Sequence, residues 1–427
     1  MREDFLYHIW KFRKFRTEAL ETTDGDYIDI VHPGVQNELA GPDFFNAKIQ
    51  VGDQLWAGNV EMHIKSSDWY FHNHETDPNY DNVIVHVVWV HDVEVYRMDG
   101  STIPTIELKG KVDAELLEAY FSLLEKKHIQ INCENDFKDF SEFQLQHWLE
   151  RLYFERLEAK SEKILQILSG TGNNWEWVLF IMLSRGFGLN VNAESFTQLA
   201  SNIDFRIVQK LFRKQLSLEA LLLGQAGLMQ ETDNYGKNLS EEYNFLRNKF
   251  SLNDNYSEKP QFFRLRPDNF PTIRLAQLAA LYAEKNNFFQ SIIQCDNIID
   301  LRTLFQVNVS EYWKTHYNFG KKHKTRTKNL SNNFIDLILI NCVIPLRHCY
   351  AKYIGKDEVQ LIQDFISAVK PEKNSVIKIF DDLRPGTASN ALQSQALLQL
   401  KNEYCNLNNC LQCELGASLL KKSPKYI

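Results

Sequence analysis

Four short stretches near the amino terminus concentrate side chains that could hold a metal ion and move a proton. They are Gly41-Pro42-Asp43-Phe44, Asn59-Val60-Glu61-Met62-His63-Ile64-Lys65, His72-Asn73-His74-Glu75-Thr76-Asp77 and Tyr80-Asp81-Asn82-Val83-Ile84-Val85-His86. Hydrolysing a phosphodiester at neutral pH needs a cation that neutralises the phosphate and lowers the pKa of a bound water. Mg²⁺ takes hard oxygen ligands and keeps several waters, so two carboxylates suffice, and Asp43 and Glu61 would supply them. A strand repeats every two residues, which puts Glu61, His63 and Lys65 on one face and Val60, Met62 and Ile64 on the other. His63 could then act as base or ligand, with Lys65 as a cation further along the same face. An ordinary half-exposed strand shows the same alternation.

Other groups invite chemistry of their own. Two histidines and a carboxylate can hold Zn²⁺, which gives His72-x-His74-x-x-Asp77 a zinc reading; solvated loop histidines, or contacts to phosphate beside a metal site, are the alternatives. His86 lies inside an apolar run and reads as a core histidine or a neighbour of the site. Cys405-x4-Cys410-x2-Cys413 presents a CxxC pair and a third thiol, leaving one metal ligand to find. Buried thiols acting as small hydrophobes read the same way. The basic run from Lys321 to Lys328 includes Lys321, Lys322, Lys324 and Arg326, and can hold phosphates by counterion release. Tyr312, Trp313 and Tyr317 precede it and could stack on bases. Arg264, Arg266 and Arg274 could also meet phosphate.

The elements that must position these groups are a sheet and its flanking helices. Alternation and turn residues predict strands over 27–32, 43–51, 55–65, 94–98 and 105–108. Phe45, Ala47, Ile49 and Val51 would share one face of the second. The nearly continuous apolar run 83–90 predicts a strand buried on both sides. Helices are expected over 5–21 and 113–127. Beyond about Phe140 the period becomes helical, with helices expected over 143–168, 175–187, 193–203, 205–212, 217–229, 240–250, 272–285, 333–353, 357–368 and 388–402. The fold class is therefore α+β or α/β: a mixed amino-terminal sheet module flanked by helices (1–135), then a large all-α region with a carboxy-terminal cysteine cluster (136–427).

A chain of 427 residues can bury a large core, and 44% hydrophobic with 24% charged residues is ordinary for a globular protein. A net charge of -7 argues against wholesale nucleic-acid coating and leaves polyanion binding to a local patch. No run of apolar residues reaches membrane-spanning length, and the charged start Met1-Arg2-Glu3-Asp4 lacks a signal-peptide core. A cytoplasmic location is the expectation, and in a reducing compartment the seven cysteines stay thiols or bind metal.

Several phrases resemble, over nearly the whole chain, a bacterial family carried as a domain of unknown function. They are Gly41 to Phe44, Gly58 to His63, Ser66-Ser67-Asp68-Trp69, Tyr80 to Trp89, Arg266 to Pro271 and Arg274 to Ala279. A looser pattern, Pro42-Asp43 followed on the next strand by Glu61-x-His63, resembles the restriction-endonuclease-like PD-(D/E)xK superfamily. That resemblance implies a nuclease fold in which two strand-borne acids, here Asp43 and Glu61, hold Mg²⁺ or Mn²⁺. It also implies a lysine two residues after the second acid, where this chain has His63. Some nucleases of that superfamily tether an iron–sulphur cluster with three late cysteines and one early one. Cys133 would be the early ligand, with Cys342 and Cys349 as rivals, and Zn²⁺ fits the same spacing. The expectation is a metal-dependent nuclease acting on DNA or RNA, with His72, His74 and the basic run as nucleic-acid contacts. The alternatives are a binding scaffold with a degenerate nuclease core, and a hydrolase of small phosphorylated substrates.

Overall fold

The computed structural model describes residues 1–37, 39–124, 130–253 and 258–420. The chain forms two compact units, Met1–Trp148 together with the segment from Leu400, and Leu149–Gln399. The sequence pattern assigns everything beyond residue 135 to the helical region. Residues 400–420 join the first unit instead, because Leu411 and Leu420 bury in the core beside the sheet.

In the first unit α1 (Glu3–Lys11) precedes β1 (Ile28–His32), β2 (Val35–Gln36), β3 (Phe44–Val51) and β4 (Gln54–Lys65). A crossover through α2 (Asp68–Phe71) leads to β5 (Val83–Val90), β6 (Thr105–Glu107) and α3 (Ala114–Leu124). The sheet runs β1-β3-β4-β5-β6, with β2 also paired to β3. The pairs β1–β3 and β3–β4 are antiparallel, while β4–β5 and β5–β6 are parallel. A parallel pair needs a crossover rather than a hairpin, and that crossover carries His72 and His74. One face of the sheet packs Val60, Met62, Val85 and Val87 with Phe5, Leu6, Ile9 and Trp10 of α1 and Leu116 and Tyr120 of α3. On the other face Trp69 packs with Val83, Val95 and Ile103. β5 is thus covered on both sides, as its unbroken apolar run implies.

Three expectations shift. The first helix stops at Lys11, because Arg13 takes a left-handed φ of 50°. Residues 94–98 form no strand; Tyr96 makes a single bridge to Thr102 across a tight turn. Phe44 replaces Phe45 on the buried face of β3, because a bulge falls between Phe44↔Val60 and Ala47↔Gly58, with Asn46 at φ 59°. An extra residue resets the alternation. The helix expected to Lys127 is observed to Leu124, its last residues lying outside those described. Gly58 is required where β4 meets β5: a Cβ there would stand 2.4 Å from the Ile84 side chain and 2.7 Å from the Asn82 carbonyl.

The second unit is helical. The path Trp175–Asn202 breaks at Leu189, in agreement with two expected helices there. Pro271–Glu284 is buried almost throughout. Against the expectation that no stretch reaches membrane-spanning length, Asn332–Tyr353 is long and apolar enough to cross a membrane, but 78% of its apolar window is buried inside the protein, as in a core helix. Arg347 within it is fully buried and pairs with Glu358 at 2.8 Å.

Candidate metal centre

β4 directs Glu61 and His63 away from the α1 core and under the crossover, so neither faces solvent. Glu61 is 5% exposed and His63 1%. Asp43 sits just before β3, opposite Glu61, and the two strands are tied by side chains as well as by the ladder. The Asp43 amide donates to Glu61 Oε2 at 3.1 Å, and the Met62 amide donates to Asp43 Oδ2 at 2.9 Å. Tyr7 of α1 donates its hydroxyl to the Asp43 carboxylate.

The remaining ligand atoms come from the crossover. α2 ends at His72, Asn73 turns left-handed at φ 60°, ψ 34°, and a 3-10 turn begins at His74. Asparagine is among the few residues that accept this region readily. The reversal brings both rings back over β4 without the extended conformation that sequence spacing alone would require. His72 Nδ1 lies 3.1 Å from His63 Nε2, and His74 Nε2 lies 3.3 Å from Glu61 Oε1. His63 Nε2 is 3.7 Å from the same carboxylate oxygen. Among the described residues, His63, His72 and His74 form one group with ligand atoms all within 4.8 Å of one another. Trp69 meets His74 edge-on, and Tyr80 stacks on it with centroids 3.7 Å apart, fixing the ring. Behind this group His86, fully buried, places Nε2 at 2.9 Å from His63 Nδ1. Its own Nδ1 has no hydrogen-bond partner.

Electrostatics sharpen the picture. Burial, chiefly, pushes Glu61 up to about 8. Burial and then repulsion from Glu61 push Asp43 up to about 8. Two buried carboxylates side by side disfavour joint ionisation until a cation offsets them. Burial, with the neighbouring imidazoles adding, holds His63 down to about 2 and His86 to about 3, so both are neutral imidazoles at any ordinary pH. His74 is also lowered, mainly by burial. Glu3 at the start of α1 is close enough for its charge to act on Asp43, Glu61 and His74. Sequence reasoning missed Glu3 and Tyr7; no spacing rule links a helix start to a strand more than thirty residues away.

The other candidates separate from this group. Lys65 is exposed at the end of β4, where its charge acts on Asp92. Asp77 caps the turn Pro78–Tyr80, accepting from the Asn79 amide at 2.9 Å, so the acid in reach of the histidines is Glu61. Cys133, Cys405, Cys410 and Cys413 line one pocket of the first unit. In the second unit Lys321, Lys322, Lys324 and Arg326 are exposed. Their segment is tied down by His323 N to Thr315 O at 2.7 Å, Arg326 N to Lys314 O at 2.9 Å and Arg326 to Asp268 at 3.3 Å. The preceding aromatics are already engaged. Trp313 is buried on Glu219, Tyr312 stacks between Tyr235 and His316, and Tyr317 lies under Lys328 Nζ. Arg274 is buried over Phe334 and bonded to Gln277 and Asn269, which takes it from the set of phosphate-binding candidates.

Residues 3–375 match the family described as "Protein of unknown function (DUF2851)". The chain belongs to this family. No curated protein and no solved structure matches it. The matched span of this family member includes Asp43, Glu61 and all four clustered histidines, and ends before Cys405.

Proposed function

We propose that the chain is a divalent-metal-dependent phosphodiesterase acting on nucleic acid. One observation carries this reading. His63, His72 and His74 form one group beside Asp43 at the junction of β4 and its parallel crossover, and Glu61 Oε1 adjoins it, 3.3 Å from His74 Nε2 and 3.7 Å from His63 Nε2. The arrangement also supports the PD-(D/E)xK resemblance: an antiparallel β1-β3-β4 meander followed by a parallel strand, with one acid leading β3 and another within β4.

The residues present fit a divalent cation. A buried pair of acids next to convergent imidazole nitrogens is costly unless positive charge joins it. Three imidazoles and a carboxylate suit Mn²⁺ or Zn²⁺ better than Mg²⁺, which prefers an all-oxygen shell. When bound, such an ion would neutralise phosphate charge and lower the pKa of a water. Glu61, His63, His72 and His74 would hold it, with Asp43 beside them. His63 would face it through Nε2, so its Nδ1–H would donate to His86 Nε2, which orients the ring. With a pKa near 2, His63 serves as ligand rather than proton store, so the lysine's place is taken by a group with a different task. His72 is the exposed member of the set and the imidazole open to a substrate. Lys321, Lys322 and Lys324 support nucleic acid as the partner, as exposed cations with anchored backbone.

The departure at His63 and the exposure of Lys65 favour a second reading, a nucleic-acid-binding scaffold without turnover. One experiment separates the two. Metal-stripped protein is incubated with DNA and RNA in Mn²⁺, Zn²⁺ or Mg²⁺, beside Asp43→Asn and Glu61→Gln. Cleavage that needs the metal and falls at least about 100-fold in both variants supports hydrolysis. Binding without cleavage under every metal supports the scaffold. Cleavage unchanged in the variants refutes the site.

A further inference from the structure

The segment from Leu400 returns to the first unit with three of the chain's seven cysteines. Cys405 ends a π-helical turn (Leu400–Cys405), while Cys410 and Cys413 lie on turns ahead of the helix Glu414–Leu420. Cys133, some 270 residues earlier, meets them. The four line a single pocket with Ile131, Asn132, Tyr404 and Gly416. They are close enough that Cys405 is influenced electrostatically by each of the other three. Gly416 is needed for this approach, because a Cβ there would stand 2.3 Å from the Cys410 carbonyl oxygen.

Hydrogen bonding separates these thiols from the other three. Cys295, Cys342 and Cys349 each donate S–H to a backbone carbonyl, of Ser291, Met182 and Ser161 respectively. That is the bonding of an ordinary buried thiol, and it removes Cys342 and Cys349 as rivals for the fourth position. Among the described residues none of the four clustered thiols donates in this way, while two of them accept. Cys410 Sγ accepts from Asn132 Nδ2 at 3.2 Å. The amides of Leu415 and Gly416 are directed at Cys413 Sγ. N–H groups aimed at sulfur stabilise thiolate, the form that binds metal.

We propose that Cys133, Cys405, Cys410 and Cys413 ligate a thiophilic metal centre that staples the carboxy-terminal segment to the sheet-bearing unit. Each ligand enters as a thiolate, releasing its proton to solvent, with no change of oxidation state. The centre is distinct from the histidine–carboxylate group on β4 and stands whether or not that group is catalytic. The four sulfurs are spread more widely than the histidine group, whose ligand atoms all lie within 4.8 Å; a single Zn²⁺ would have to draw them together, whereas an iron–sulphur cluster spans a wider set of thiolates, and the measurement tells the two apart.

Full-length protein is purified without a histidine tag, under anaerobic conditions, and assayed for zinc, iron and acid-labile sulphide. One zinc per chain with no visible absorption identifies the ion; iron with labile sulphide and a visible charge-transfer band identifies the cluster. Either supports the proposal, provided the metal is lost in Cys133→Ser and kept in both Cys342→Ala and Glu61→Gln. Native alkylation read by mass spectrometry needs no variant: the four thiols are expected to be protected until a chelator and denaturant are added, while Cys295 reacts. Metal removal is also expected to open residues 400–420 to proteolysis. Absence of metal, disulfides among the four, or a metal content unchanged by Cys133→Ser overturns the proposal.

Discussion

Replacing Glu61 with glutamine removes one titrating group from the candidate site while leaving an oxygen to accept the Asp43 amide. Without metal, the folded protein holds Glu61 and Asp43 protonated up to about 8, whereas the unfolded chain releases those protons near the ordinary values of 4.5 and 3.8. Between those limits the folded state binds more protons than the unfolded state, so stability falls as pH rises. His63 and His86 act in the opposite sense. Their depressed values of about 2 and 3 mean that the folded state binds fewer protons below the ordinary 6.5, so their contribution grows with pH and is complete above about 6.5. The window from pH 6.5 to 8 therefore isolates the carboxylates. Across it one such group costs about 1.4 kcal/mol per pH unit, about 2 kcal/mol in all. For a unit of this size that is a fall of about 4–8 °C in melting temperature. Wild-type protein stripped of metal is expected to lose this amount for each of the two groups, followed by circular dichroism in buffers of matched ionic strength. Glu61→Gln should lose about half as much or less, since Asp43 is also freed from its repelling neighbour. Added Mn²⁺ should raise the wild type most at pH 8 and the variant little. A wild-type melting point that holds steady or rises across the window refutes the reasoning, as does a variant with the full decline.

Two further substitutions test how the parts are held. Asn73→Val forces a β-branched residue into left-handed backbone, which should cost about 1–2 kcal/mol and splay His72 from His74. Mn²⁺ affinity by calorimetry should fall by about tenfold or more, while Asn73→Gly keeps it, because glycine accepts that backbone; equal affinities in both variants would show that the turn does not align the rings. In the helical unit Arg347→Met leaves Glu358 buried without its partner, and urea unfolding should register a loss of about 3–5 kcal/mol. A loss under about 1 kcal/mol would mean that Lys356, 2.7 Å from Glu358, compensates.

Much of the sheet was legible because alternation and turn residues are local signals. The strand bearing Glu61 and His63 reads directly from Val60, Met62 and Ile64 facing the other way, and the doubly buried strand reads from 83–90. The errors fall where one backbone angle redirects the chain. Asn46 inserts a bulge that exchanges Phe45 for Phe44 on the core face, and Arg13 ends the first helix early. Asn73 makes neighbours of two histidines whose spacing left open a zinc pair, solvated loop residues and contacts beside the metal site. The aromatics before the basic run were misjudged because their neighbours Glu219, Tyr235 and Asp268 come from sequence-distant helices.

By itself the sequence determined which residue types were on hand: acids leading and lining adjacent strands, histidines in a crossover, thiols near the carboxy terminus, cations in one run. Side-chain periodicity is a property of a few consecutive residues, so it also determined which faces those groups take within their own elements. Only the tertiary structure decided which of them meet. It brought His72 and His74 to Glu61 and His63, left Lys65 outside, and chose Cys133 over Cys342 and Cys349. Those choices depend on strand register, a left-handed turn and the return of the last segment, set by packing between residues too far apart for any local pattern to record.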